Sequence, residues 1–148
     1  MMWNENRETE GAVMPDYFDL NMPRGELMNV SSLGLAHLGD AVFEVLVRSW
    51  VCMGGTAKIK NLHKQTVRYV SAPAQAVMAE EILPMLSQEE SDVFRRGRNA
   101  APHSIPKAAS RGQYQTATAL ESLFGWLWLQ GRTDRINELF AAMMEGEE

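Results

Sequence analysis

Two acidic residues stand out because each lies in an otherwise uncharged, apolar stretch. Asp40 is the only formally charged residue in the range 27–43, and it directly follows a glycine. Glu121 is the only formally charged residue in the range 112–130. An ionised carboxylate in apolar surroundings is costly unless a cation, a metal or hydrogen bonds compensate it. The two residues are therefore candidates for one shared site.

The chemistry that two such acids could perform is metal-assisted phosphodiester hydrolysis. Mg²⁺ typically takes one or two protein carboxylates and keeps several waters, while substrate phosphate fills other positions. Bound water then becomes a better nucleophile, and the metal offsets charge that develops on a phosphoryl group. Glu44 lies one helical turn after Asp40 and could assist through a bound water. Its spacing to Arg48 explains Glu44 equally well as half of a helix-surface ion pair.

Each carboxylate also has a purely structural interpretation. Asp40 could be a capping or ion-paired core residue. Glu121 could reach solvent with its carboxylate or pair with Arg48. The residue types alone leave these alternatives open.

The elements that would position the two acids are helices. Ser31 or Ser32 is a plausible N-cap for a helix that runs to about Met53, and a second helix carries Glu121. Further helices are predicted at 58–70, 71–83, 87–99 and 134–144, with a loop at 100–111. No strand alternation of useful length and no repeat is present, so the predicted fold is all-α. A chain of 148 residues suggests one domain. We place it at 27–145, after a loosely ordered arm at 1–26.

The charge distribution leaves room for a nucleic-acid partner despite a net charge of −5. Residues 1–26 carry −4 and residues 133–148 carry −4, whereas residues 27–132 carry +3. Clustered bases can hold a phosphate backbone beside a metal site. They could equally form a solvated face or favour a helix C-terminus. The candidate RNA-binding residues are Lys58, Lys60, Lys64, Arg68, Arg95, Arg96, Arg98, Asn99, Lys107 and Arg111.

Several classes of protein are disfavoured by composition. The single cysteine, Cys52, cannot form an internal disulfide and fits a reducing, cytoplasmic location. No run of 18 apolar residues is present, so no membrane span is expected. The first residues lack the basic and then apolar pattern of a signal peptide.

Four motifs, in order, resemble the ribonuclease III family. Leu-Gly-Asp-Ala-Val-Phe-Glu at 38–44 is similar to the signature of its catalytic domain, and Thr-Ala-Leu-Glu-Ser-Leu-Phe-Gly at 118–125 is similar to its second acidic motif. Val-Ser-Ala-Pro-Ala-Gln-Ala at 70–76 and Arg-Arg-Gly-Arg-Asn at 95–99, followed by Ile-Pro-Lys at 105–107, resemble the short bacterial branch, Mini-ribonuclease III. The resemblance covers about Leu33 to Met144.

The resemblance implies an all-α homodimer that cleaves double-stranded RNA endonucleolytically at one Mg²⁺-dependent site per subunit, with Mn²⁺ able to substitute. Asp40 and Glu121 match the catalytic, metal-binding acids, and the loop from about Ala100 to Arg111 matches one thought to engage RNA. The branch implies the precursor of large-subunit (23S) ribosomal RNA as substrate, leaves open assistance by a ribosomal protein, and lacks a double-stranded RNA-binding domain.

Two positions depart from the full-length enzymes of the family. Ala36 and Thr118 stand where those enzymes carry Glu and Asp, as they also do in the short branch. Fewer protein carboxylates per site imply weaker metal binding before RNA arrives. The number of Mg²⁺ ions, one or two, stays open.

Two other functions compete with a nuclease. One is a catalytically silent RNA-binding dimer that acts in ribosome assembly, and the presence of both costly acids argues against it. The other is a helical protein-interaction module with tryptophans as anchors, which the base-only runs at 58–68 and 95–111 disfavour.

Overall fold

The computed structural model describes the backbone of residues 3–9, 12–54, 59–102 and 109–146. Within these ranges the chain forms two strands and seven α-helices. They are β1 (Trp3–Thr9), β2 (Ala12–Leu20), α1 (Arg24–Leu27), α2 (Ser32–Met53), α3 (Ile59–Val70), α4 (Ala72–Ile82), α5 (Gln88–Ala100), α6 (Arg111–Leu129) and α7 (Thr133–Gly146). The mainly helical architecture predicted from the sequence is confirmed.

Helix α6 is the centre of the fold, since α2, α4, α5 and α7 all pack against it. Its residues 117–120 and 122–127 are buried. The ring of Phe43 in α2 meets that of Phe124 in α6 edge-on, with centroids 5.8 Å apart. The near absence of charge in this stretch therefore reflects a helix that is surrounded on several sides.

Helix ends follow the capping residues read from the sequence. The Ser31 hydroxyl accepts a hydrogen bond from the Gly34 N–H at 3.0 Å. Ser87 and Glu90 form a reciprocal capping box at the start of the helix predicted at 87–99. Helix α6 starts with a second capping box, from Ser110 and Gln113, which the sequence analysis missed. It ends at Leu129, and Gly131 follows with a φ of 70°, which suits the left-handed position after a helix.

The N-terminal strands differ from the prediction that the chain contains no strand. β1 and β2 pair antiparallel, with Arg7 opposite Met14 and Thr9 opposite Ala12. Pairing runs through backbone hydrogen bonds, which do not require an alternating apolar pattern. The segment that follows is fixed to the helical core because the Met22 N–H donates to the Leu129 carbonyl at 2.8 Å. The division into an arm at 1–26 and a domain at 27–145 stays a prediction.

A buried ion pair joins α7 to the start of α5. Arg135 donates to both carboxylate oxygens of Glu90, at 2.8 and 2.9 Å, and to the Met85 carbonyl at 2.8 Å. Glu90 is only 2% exposed. The hydrogen bond from Arg135 is the main reason that the pKa of Glu90 lies below its usual range.

We expect Arg135→Met to lower the free energy of unfolding by about 3–5 kcal/mol, because it leaves a buried carboxylate unpaired. The pair contributes stability above the unfolded-state pKa of Glu90, and that contribution is lost as the pH falls. Urea unfolding at pH 7 and pH 4 measures both effects. The control is Arg24→Met, which removes an exposed pair with Glu89 and should cost about 1 kcal/mol or less. Equal losses in the two variants would contradict the prediction.

Candidate active site

Two glycines bring Asp40 and Glu121 together by allowing α2 and α6 to touch along their backbones. A Cβ atom on Gly39 would overlap the carbonyl of Glu121, and one on Gly125 would overlap the carbonyl of Leu35. Only glycine permits such a close approach. Asp40 follows Gly39 directly, so the crossing point of the two helices sets the distance between the two acids.

The two carboxyl groups interact directly. Burial, a hydrogen bond to Asp40 and the negative charge of Asp40 raise the pKa of Glu121 to about 8, in that order of importance. In the metal-free protein near pH 7, this raised pKa favours a proton on Glu121, beside the Asp40 carboxylate. Two acids that share a proton in this way are a site where a cation would be strongly favoured.

The surroundings of the two acids differ from the sequence expectation. Glu121 is half-buried, in keeping with its apolar neighbours, but Asp40 is exposed. The expectation of apolar surroundings for Asp40 was wrong, because the apolar residues close to it in sequence, such as Val42 and Phe43, turn towards the core. The interpretation of Asp40 as a buried core residue or helix cap is therefore excluded.

Glu44 and Arg48 form an ion pair of 2.7 Å along α2. Arg48 thus pairs with Glu44, and the alternative pairing of Glu121 with Arg48 is not adopted. The weaker role of Glu44 as a metal ligand stays a prediction. Across residues that the structure describes, no group of three or more His, Cys, Asp or Glu could hold a metal ion.

The donor set fits a hard divalent cation with few protein ligands. It consists of two carboxylates from different helices, one of them exposed, with mutual repulsion that a cation would relieve. Thr118, which stands at one of the departing positions, is buried, and its hydroxyl donates to the Tyr114 carbonyl at 2.9 Å. Water and substrate oxygens would have to complete the coordination.

Most predicted RNA-binding residues that can be located lie on the surface. Lys64 and Arg68 are exposed on α3, and Arg111 is exposed at the start of α6. Lys58 and Lys107 lie outside the described residues, as does the side chain of Lys60. The remaining candidates are exposed on the last turns of α5: Arg95, Arg96, Arg98 and Asn99.

The basic end of α5 is anchored close to Glu121. Gly97 is buried between the exposed Arg96 and Arg98, and a Cβ there would clash with the side chain of Ser122. Ser122 is the residue after Glu121, and its hydroxyl shares its one proton between the Ser32 and Thr118 carbonyls, both at 2.9 Å. The structure therefore brings one predicted basic cluster to the same turn of α6 as the acid.

Sequence reasoning missed one residue at this site. Gln75 in α4 is fully buried beside Glu121 and favours the ionised form of its carboxylate. The available signal was a polar amide on the same helical face as Met78, Ala79 and Ile82. In the sequence, Gln75 is singled out only as one residue of the motif at 70–76 that resembles Mini-ribonuclease III.

The comparisons with known proteins agree with this fold. The family described as "Ribonuclease III domain" matches residues 33–132. That match, the helical fold and the paired acids define an endoribonuclease of the ribonuclease III class, which acts on double-stranded RNA.

Relatives named Mini-ribonuclease 3 narrow this class. The relative from Symbiobacterium thermophilum is 40% identical over 115 residues, which is 78% of this chain and 88% of the relative. The relative from Brevibacillus brevis is 44% identical over 118 residues, again 78% and 88%. A crystal structure of a Fusobacterium nucleatum protein superposes with a TM-score of 0.75 at 27% identity, covering 83% of this chain and 98% of the other. The chain belongs to the Mini-ribonuclease III branch of the ribonuclease III family.

Proposed function

We propose that this endoribonuclease is Mg²⁺-dependent, with Mn²⁺ able to substitute, and that it matures the ends of the large-subunit (23S) ribosomal RNA precursor in the cytoplasm. The observation that carries the metal dependence is the contact between the carboxyl groups of Asp40 and Glu121. The ribosomal substrate rests on membership of the short branch alone.

Asp40 and Glu121 would hold the metal. When bound there, Mg²⁺ would supply Lewis-acid polarisation of the scissile phosphate and a more acidic water. Asp40 is exposed and can meet a phosphate group that approaches from solvent. Glu121 has to release its proton before it binds a cation, and its half-buried position restricts the movement of the carboxylate. Asp40 would thus be accessible to the phosphate group, and Glu121 would give the metal a ligand of fixed orientation.

The basic residues at the end of α5 would position the RNA backbone. Arg96 and Arg98 flank the buried Gly97, so both project outwards from the part of α5 that touches the turn after Glu121. Phosphate contacts by such residues fix register without reading sequence. A-form RNA is recognised mostly through shape and 2′-hydroxyl groups, so we expect little sequence preference.

An apolar surface supports the predicted homodimer. A groove between β2, α2 and the start of α7 is lined by apolar side chains that include Phe18, Leu38, Val45 and Trp128. Phe18 is 85% exposed and Val45 is 63% exposed. Ala41 also lines the groove and follows Asp40 directly, so a second copy bound here would bring two sites close together. Sedimentation velocity tests the proposal, since a monomer at micromolar concentration would contradict it.

The experiment that tests the proposed function is cleavage of three RNAs by the purified protein. The substrates are a long double-stranded RNA, a single-stranded RNA of the same length and a fragment of the ribosomal precursor with paired ends. We expect Mg²⁺-dependent cleavage of the first and third, no cleavage of the second, and complete loss of cleavage with a chelator. Binding of RNA without cleavage at any Mg²⁺ concentration would instead support the silent RNA-binding dimer.

We expect RNA affinity to fall steeply with salt, because each phosphate contact by an Arg or Lys releases counterions. Arg96→Gln should reduce the slope of log affinity against log salt by about 1. Arg24→Gln is the matched control, since Arg24 is exposed and contacts Glu89 at the opposite end of α5. Binding titrations at four salt concentrations measure the slopes. A wild-type slope near zero would contradict an electrostatic interface.

A further inference from the structure

Gln75 carries a buried hydrogen-bond donor that the fold does not use. The residue is 2% exposed, and its Nε2 is the only buried side-chain nitrogen or oxygen without a hydrogen-bond partner in the described part of the chain. Leaving such a group unpaired costs on the order of 1–3 kcal/mol. Unpaired buried donors are rare in native proteins, so this one needs an explanation.

Packing alone does not explain the amide. Gln75 lies on the face of α4 that includes the buried residues Met78, Ala79 and Ile82. A methionine of similar volume would fill the same space without an unpaired polar atom. The amide at position 75 is therefore more costly to the fold than an available apolar side chain.

The donor faces the site. Helix α4 packs directly on α6, and the amide of Gln75 lies near enough to the Glu121 carboxyl to lower its pKa, opposing the effects of burial and Asp40. Its geometry nevertheless falls short of a hydrogen bond.

We propose that Gln75 is the positioning residue of the site, whose Nε2 donates to one oxygen of the Glu121 carboxylate and directs the other oxygen towards a bound divalent cation. This inference rests on the proposed metal site at Asp40 and Glu121. Groups that hydrogen-bond to metal ligands in this way orient the ligand, and their removal typically costs about 10- to 100-fold in metal affinity or activity. The unpaired donor is then a stability cost that the fold bears for the site.

The test is Gln75→Met, which keeps the volume and removes the donor. Mg²⁺ titrations of the melting temperature, without RNA, give the metal concentration at half-maximal stabilisation. We expect this midpoint to rise about 10- to 100-fold, while the melting temperature in chelator stays equal or increases. RNA cleavage should need correspondingly more Mg²⁺. Met78→Leu, a conservative change on the same buried face, is the control and should leave the midpoint unchanged.

The outcomes separate this inference from the function on which it rests. A Gln75→Met protein with a lower melting temperature in chelator and a wild-type Mg²⁺ midpoint would overturn the positioning role and leave a structural one. A wild-type protein without any Mg²⁺ stabilisation, or a Glu121→Gln protein that keeps it, would overturn the metal site itself and this inference with it.

Discussion

Replacing Glu121 by glutamine is expected to reduce RNA cleavage by roughly a thousandfold or more, because a metal ion typically supplies several kcal/mol to such a reaction. The same change should stabilise the metal-free protein at alkaline pH. Loss of activity together with a gain in stability is characteristic of a functional acid and is not expected of a structural one. Asp40→Asn should also abolish cleavage, and it should lower the pKa of Glu121 because it removes the neighbouring charge.

The pH dependence follows from the raised pKa of Glu121. The pKa of this carboxyl is about 8 in the folded protein, against 4.5 for the same side chain in an unfolded chain. The folded state therefore binds this proton more tightly. The stability that the proton provides is fully present below pH 4.5 and is lost as the pH rises through 8. Glutamine stays neutral at every pH, so the stability of Glu121→Gln should not show the pH dependence that Glu121 causes.

Denaturant unfolding at pH 5, 7 and 9 in chelator measures the effect. We expect the difference between Glu121→Gln and wild type to grow by a few kcal/mol between pH 5 and pH 9. Glu80→Gln changes an exposed glutamate on α4 and should follow the wild type at every pH. A Glu121→Gln protein whose stability falls with pH as steeply as the wild type would contradict a raised pKa at this residue.

Gly39→Ala is expected to damage the fold and the site together. The added methyl group would overlap the Glu121 carbonyl, which is backbone in the centre of α6 and cannot move aside. The helices would have to separate, at a cost that we expect to reach about 3 kcal/mol. Because displacement by about 1 Å can lower a rate 100-fold, the folded fraction should also cleave poorly.

The matched control for this change is Gly112→Ala. Gly112 lies in the first turn of α6, and a Cβ there would meet no atom within 4 Å. Alanine is the better helix former by about 1 kcal/mol, so this variant should be as stable as the wild type or slightly more stable. The melting temperature and the cleavage rate of both variants, measured together with the wild type, test the prediction. Wild-type stability in Gly39→Ala would show that α2 and α6 are not in backbone contact there.

The sequence predicted what depends on neighbouring residues. Isolated charges in apolar helices singled out Asp40 and Glu121, and side chains that cap their own helix predicted the starts at Ser31 and Ser87. These features are local, because the signal and the structure it specifies lie within a few residues of each other.

The sequence did not predict what depends on residues far apart. The bond between Arg135 and Glu90 joins positions separated by 45 residues. The contact of Gly39 with Glu121 requires the crossing of two helices. The residues around Gly39 and Gly125 do not indicate which helix each glycine contacts. The exposure of Asp40 and the burial of Gln75 follow from that crossing and from the placement of α4. Those are properties of the assembled core.

The glycine contacts of α6 have a consequence for how substrates are selected. The turn that bears Glu121 is held on one side by Gly39, which contacts its backbone, and on the other by Gly97, which contacts the side chain of Ser122. A segment packed so tightly is expected to exchange its amide hydrogens only through large-scale opening of the helices around it. We therefore expect the backbone that carries Glu121 to keep the same conformation whether or not RNA is bound. The enzyme must then discriminate between RNAs while they bind, before the phosphodiester bond is cleaved.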